Sequence, residues 1–205
     1  MIPYVNIHTH RSTGHGIELR AAGVHPWQAD LREVEALAAR LARTEAIAPS
    51  ERPQAIGEIG LDYACAVDRE VQLEVLKAQL ALARRLGLPV VLHCVRAFEP
   101  LMRELAACEP RAVIFHGFIG SPEQARQALR RGYCLSFGER TFASPKSLRA
   151  LREVPLGQLF LETDDDPVTI ESIYERVAAT LDLPLTKLKR DLYENYKRVF
   201  EKLHG

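Results

Sequence analysis

Short apolar runs alternate along the chain with longer stretches whose apolar residues recur every three or four positions. The short runs are Ile2 to Ile7, Ile17 to Val24, Gln54 to Ile59, Pro89 to His93, Ala112 to His116, Tyr133 to Phe137 and Leu159 to Glu162. They are rich in β-branched residues and bounded by Gly or Pro, which marks them as strands. The longer stretches predict helices over 30–47, 68–86, 98–108, 122–131, 145–153, 168–181 and 187–203. Leu31, Val34, Leu37, Ala38 and Leu41 form one stripe of the first. Val71, Val75, Leu76, Leu80 and Ala83 do the same in the second, which Gly87 closes. Ser121-Pro122 and Ser144-Pro145 read as N-caps followed by proline at the first helical position.

Strands of this apolar kind, alternating with helices, imply an α/β fold with a parallel sheet covered by helices. An open doubly wound sheet and a β/α barrel both satisfy the alternation. One place departs from it. Only Thr9 to Gly16 separates the first two runs, fewer than the dozen residues of an ordinary parallel crossover. A hairpin or a short irregular link is expected there. No linker or repeat interrupts the 205 residues, which suit a single domain spanning 1–205.

The polar residues at the strand ends choose between the two architectures. The first run leads into His8-Thr9-His10, whose alternate side chains share one side. Glu58 lies near the end of its run between glycines, His93 and His116 each end a run, and Glu162 and Asp164 end the last. Four of the seven histidines thus sit at strand ends. In a parallel β/α barrel those ends converge on one mouth, where active sites of such barrels lie. Imidazole with carboxylate suits Zn, Mn, Ni or Fe, and a metal there lowers the pKa of a bound water to about 7.

Composition narrows the picture. Lys plus Arg equals Asp plus Glu at 27 each, so no global field attracts nucleic acid. No apolar run approaches the ~20 residues of a membrane span, and the N-terminus lacks the pattern of a signal peptide. Cys65, Cys94, Cys108 and Cys134 are scattered, which reads as reduced thiols in the cytoplasm.

The motifs His8-Thr9-His10, Gly23-Val24-His25-Pro26, Ile56-Gly57-Glu58-Ile59-Gly60-Leu61-Asp62-Tyr63, Leu92-His93-Cys94, Phe115-His116-Gly117, Ser136-Phe137-Gly138 and Leu161-Glu162-Thr163-Asp164 stand in one order along the chain. In that order the chain resembles the TatD-type hydrolases of the amidohydrolase superfamily. The resemblance implies a TIM-type β/α barrel and two divalent metal ions, Zn, Mn, Mg or Ni. It implies His8, His10, Glu58 and Asp164 on one ion, with Glu58 bridging to a second held by His93 and His116. Asp164 and Glu58 are then the catalytic carboxylates, Asp164 orienting or deprotonating the attacking water. The implied activity is deoxyribonuclease-like phosphodiester hydrolysis by a metal-activated hydroxide. The alternative is a small-molecule amide, ester or lactone hydrolase, since one fold and metal site serve many chemistries. A non-catalytic binding protein fits less well, because the ligand set is intact.

This sequence departs from the family in places. Between the first two motifs the family carries a helix, a strand and a second helix; here only Arg11 to Ala22 intervenes. A shortened barrel of about seven strands, lacking one N-terminal β/α unit, is expected. Trp27 follows Pro26 where the family often has His, Val95-Arg96 follows the His93 motif, and Asp165-Asp166-Pro167 follows Asp164. His25 reads as a substrate-side residue, with packing beside Pro26 as the other reading. Arg96, Arg140 and Lys146 read as phosphate contacts or as surface charges. Ser121 reads as an anion-holding helix start. Glu162 reads as a structural carboxylate facing away from the metal, and Asp62 and Tyr63 as braces of the Glu58 loop. His15, His204 and the run Lys187-Leu188-Lys189-Arg190 read as solvated. The acidic pair Asp165 and Asp166 disfavours long DNA and favours a short nucleic acid or small phosphodiester. The competing reading has one of them capping the next helix.

Overall fold

A computed structural model describes residues 2–43 and 47–201. His204 and the tail of the last predicted helix lie outside the described residues, as do residues 44–46 in the first. The chain forms two compact units, Met1–Leu19 with Ile114–Gly205 and Arg20–Val113. We call the discontinuous one the first unit and the contiguous one the second.

In the second unit, strands β3 (Ala21–Ala22), β4 (Ala55–Asp62) and β5 (Val90–Val95) run parallel in that order. Helices α1 (Leu31–Leu41) and α2 (Arg69–Leu86) connect them, and α3 (Phe98–Cys108) follows β5. Asp30 and Asp68 cap α1 and α2 with their carboxylates, and Gly87 ends α2 in the left-handed conformation. Val24, Val34 and Val75 pack together between the first helices. The predicted stripes hold except at their first residues. Leu31 and Val71 are 42% and 40% exposed, because the opening turn of each helix precedes its contact with the core.

In the first unit, β1 (Val5–Asn6) pairs parallel with β2 (Ile17–Glu18). On its other side β1 and the residues after it join the last strand, β8 (Leu159–Leu161), and its extension: the Ile7 amide donates to the Leu161 carbonyl and Thr9 bridges Asp164. Strand β7 (Cys134–Phe137) pairs with β8, and β6 (Val113–Phe115), at the unit boundary, pairs through Ile114 and Phe115 with β7. Helices α4 (Pro122–Arg130), α5 (Pro145–Glu153), α6 (Ile170–Thr180) and α7 (Leu185–Tyr196) complete this unit.

Every predicted strand position is occupied, with one modification. The run Ile17 to Val24 is broken at Leu19–Arg20 into β2 and β3, which pair with different partners, β1 and β4. The link between β1 and β2 carries no helix, as its length requires, yet the strands are parallel and no hairpin forms. An irregular loop makes the crossover. The Glu18 carboxylate holds it by accepting from Ser12 Oγ (2.5 Å), Thr13 N (2.8 Å) and Thr13 Oγ1 (2.9 Å).

Candidate functional site

In the first unit the backbone ladder between the His8–His10 segment and the chain after β8 sets the geometry. The His10 amide donates to the Asp164 carbonyl (3.2 Å) and the Asp164 amide to the His8 carbonyl (3.1 Å). Asn6 locks the same register: its side chain donates to Thr163 Oγ1 and accepts from the Thr163 amide. The side chains of His8, His10 and Asp164 therefore meet. The two Nε2 atoms lie 3.3 Å apart, and Asp164 Oδ1 is 3.6 Å from one and 3.5 Å from the other. The His8 and His116 rings meet at 4.3 Å between centroids, tilted by 51°. Behind His116, the fully buried Glu162 takes its Nδ1 at 3.2 Å and the Gly117 amide at 2.6 Å. Burial pushes the Glu162 carboxyl up, but His116, His8 and the Ser136 hydroxyl together hold the group below the usual carboxylate range. His8, His116 and Asp164 offer ligand atoms within 4.8 Å of one another, and so do His10, Asp164 and Asp165. Converging lone pairs of this kind, backed by a buried carboxylate that orients an imidazole, suit a divalent cation.

In the second unit Glu58 and His93 stand on adjacent strands, β4 and β5. Gly60 permits their close approach: a Cβ there would lie 2.0 Å from the His93 carbonyl oxygen. His93 Nδ1 is 2.6 Å from Glu58 Oε1, and His93 Nε2 is 3.1 Å from Asp62 Oδ2. His25 Nε2 lies 3.3 Å from the same Glu58 oxygen. His25, Glu58 and His93 form a further group able to hold a metal ion. A cation shared by Nδ1 and Glu58 would leave Nε2–H to donate to Asp62, an arrangement that suits a metal-ligating imidazole. Asp62 also accepts from Trp27 Nε1 (2.6 Å) and the Ala64 amide (2.8 Å). Burial raises its pKa, while these hydrogen bonds and His93 bring it below the usual value.

Residues 18–201 match the family described as TatD related DNase. The chain belongs to the TatD family. The match begins after the segment that carries His8 and His10. Among TatD relatives, "Uncharacterized metal-dependent hydrolase YabD" of Bacillus subtilis is 31% identical over 88% of this chain and 76% of its own. "3'-5' ssDNA/RNA exonuclease TatD" of Erwinia tasmaniensis is 37% identical over 70% of this chain and 56% of its own. The crystal structure of YJJV, a TatD homolog from Escherichia coli, superposes with a TM-score of 0.79 at 29% identity, covering 90% of this chain and 77% of that one. The fold is the α/β, TIM-type fold of TatD hydrolases, and the chain carries groups of His, Asp and Glu able to hold a metal ion. No helix among the described residues is long and apolar enough to cross a membrane.

His116 groups with His8 and Asp164. Glu162 holds His116 Nδ1 and the Gly117 amide, and Asp62 lies against His93 Nε2. Ser121 caps α4 in a full capping box with Gln124, so its hydroxyl accepts from Gln124 N and its own amide is used as well. Arg96 is exposed, with a positive φ of 52°. Arg140 Nη1 lies 4.0 Å from Asp164 Oδ2 and is 65% exposed. Neither Asp165 nor Asp166 caps the next helix; Thr169 does. His15 is exposed near Glu171. In the basic run Leu188 is buried, Lys187 pairs with Asp191, and Lys189 lies over the Tyr4 ring.

Sequence reasoning missed two buried glutamines of α2 that hold the second unit's site. Gln79 accepts from the Val24 amide (2.6 Å) and donates to its carbonyl (3.0 Å), fixing the chain just before His25. Gln72 does the same for Asp62, accepting from its amide (2.7 Å) and donating to its carbonyl (2.9 Å). The signal was present: the two stand seven residues apart on the apolar face of an amphipathic helix, where an amide must have a partner.

Proposed function

We infer that this protein is a divalent-metal-dependent phosphodiesterase of nuclease type, acting on short nucleic acids or nucleic-acid ends. The observation that carries the reading is the convergence of His8 Nε2, His10 Nε2 and Asp164 Oδ1 within 3.3–3.6 Å of one another. The proposed ligands are His8, His10, His116 and Asp164 in the first unit and Glu58 and His93 in the second, for two cations drawn from Zn, Mn, Mg and Ni. Bound there, a divalent cation supplies Lewis-acid polarisation of the phosphoryl group and acidifies water. The protein's own part is positioning and proton transfer. Asp164 accepts the proton as water oxygen bonds to phosphorus and the P–O bond to the leaving group breaks; the leaving oxygen takes a proton from solvent. Glu162 keeps His116 in one orientation, and Asp62 does so for His93. Arg140, exposed beside Asp164, faces the phosphate. His25 and Arg96 are the proposed substrate-side groups; Ser121 is committed to its capping box. The four free cysteines support a reducing, cytoplasmic site of action.

The names of the relatives support the nuclease reading, since the Erwinia protein is called a single-strand exonuclease and the family a DNase. One observation favours the second reading, a small-molecule amide, ester or lactone hydrolase. Asp165 joins His10 and Asp164 in one group, so this side of the site is strongly acidic. The test is turnover of d(TpT) and of a simple lactone with Mn added. Diester cleavage that falls at least 100-fold in Asp164→Ala supports the first reading. Lactone turnover without diester turnover overturns it.

A further inference from the structure

Trp27 is the chain's single tryptophan, and its side chain is left open beside the Glu58–His93 group. It is 60% exposed, the most exposed of the large apolar residues among those described. The ring is nonetheless held firmly. Pro26 precedes it in a short 3-10 turn, Pro26–Gln28, and the Trp27 amide donates to His25 Nδ1 at 3.2 Å. Its indole N–H donates to the buried Asp62 carboxylate at 2.6 Å. The ring meets His25 edge-on at 4.8 Å between centroids and lies 6.2 Å from His93.

A fixed, flat, exposed indole costs little ordering entropy when something stacks on it. Its neighbours are imidazoles and carboxylates, so the ring does not belong to an apolar rim that a folded partner would cover. Its distance from His93 is one that a single sugar–phosphate unit can span. We propose that Trp27 is a stacking platform for the nucleobase of a nucleotide whose phosphate lies at the Glu58–His93 group. It thereby makes a base-bearing phosphodiester the preferred substrate over a base-free one. Stacking is tolerant of base identity, because every base has a π-face. The platform therefore selects for a nucleotide without selecting a sequence, and it supplies binding that owes nothing to charge. That suits a chain with no net charge.

This inference rests on the phosphodiesterase reading, and the experiment separates the two. Being the single tryptophan, Trp27 reports on itself. In the wild-type protein, excited at the red edge of indole absorption, dAMP and dTMP quench the fluorescence saturably, and 2-deoxyribose 5-phosphate does not. No quenching by either nucleotide, or equal quenching by the sugar phosphate, overturns the proposal even when diesters are cleaved. The second arm compares kcat/KM for d(TpT) and for its abasic analogue, the same sugar–phosphate diester with hydrogen in place of both bases. Trp27→Ala lowers the ratio of the first to the second roughly 5- to 150-fold, through KM for d(TpT). Trp27→Phe, which keeps a ring but loses the N–H to Asp62, retains most of that ratio. If Trp27 only positioned Asp62, both substrates would suffer alike, Trp27→Phe would fare as badly as Trp27→Ala, and the proposal would fall. Nucleotide quenching without turnover of any diester would sink the phosphodiesterase reading and leave the stacking platform standing.

Discussion

The Tyr174 hydroxyl accepts from the amide of Val5 at 3.1 Å and donates to the carbonyl of the same residue at 3.0 Å. One side chain of α6 thus satisfies both backbone groups of a residue on β1. Tyr174 is fully buried, and the Tyr4 ring packs edge-on against it. Tyr174→Phe leaves two buried backbone groups without these partners. The expected cost is about 1–3 kcal/mol, seen as a lower urea midpoint with an unchanged m-value. Because β1 leads directly into His8 and His10, Mn affinity falls with it.

Glu162→Gln tests the support behind His116. The amide oxygen can still accept from Gly117, so the fold survives, but the charge opposite His116 is gone. The expected loss of metal affinity is about 10- to 100-fold, measured by equilibrium dialysis. Unaltered affinity would mean that His116 needs no carboxylate behind it.

Gln79→Leu preserves the bulk of a buried side chain and removes both bonds to Val24. We expect a destabilisation of about 2 kcal/mol. KM for d(TpT) should also rise, because Val24 precedes the substrate-side His25. Thermal unfolding reads the first effect and steady-state kinetics the second.

The crossover loop carries a pH signature. Burial raises the Glu18 carboxyl, but the hydrogen bonds from Ser12, Thr13 and Gly14 win and set it below its usual 4.5. A depressed carboxylate stabilises the fold above its unfolded value and loses that contribution as pH falls through the folded one. The stability gap between wild type and Glu18→Gln is therefore full at neutral pH and closes below 4.5. Urea midpoints at a series of pH values check this. A gap that widened on acidification would contradict it.

Asp165→Asn with Asp166→Asn removes two charges beside Asp164. At ~6 Å in water each repels a phosphate by roughly 0.7 kcal/mol, so low-salt DNA affinity should rise about tenfold. Fluorescence anisotropy with a labelled single strand measures it, and no gain would place the pair away from the path of the nucleic acid.

Much of this was legible in the residues. Apolar runs and helical stripes located the strands and helices because burial of one face dominates both. His8, His10 and Asp164 were legible as ligand candidates because strand-end polarity is costly without a purpose. What escaped was decided by tertiary contact. The break at Leu19–Arg20 has no Gly or Pro to announce it; β2 and β3 separate because each finds a different neighbour. The parallel pairing of β1 with β2 defied a rule about helical crossovers that an irregular loop does not obey. Gln72 and Gln79 read as ordinary polar positions because their partners are backbone groups far along the chain.

The first unit is discontinuous, and this fixes an order of events during synthesis. Asn6 waits for Thr163, 157 residues later, and Val5 waits for Tyr174, 169 residues later. At about 5–20 residues per second, the ribosome takes roughly 8–30 s to deliver those partners. For that interval the two histidines at the start of the chain travel on a strand with neither its Tyr174 clasp nor its neighbour β8. Every residue of the contiguous second unit emerges meanwhile.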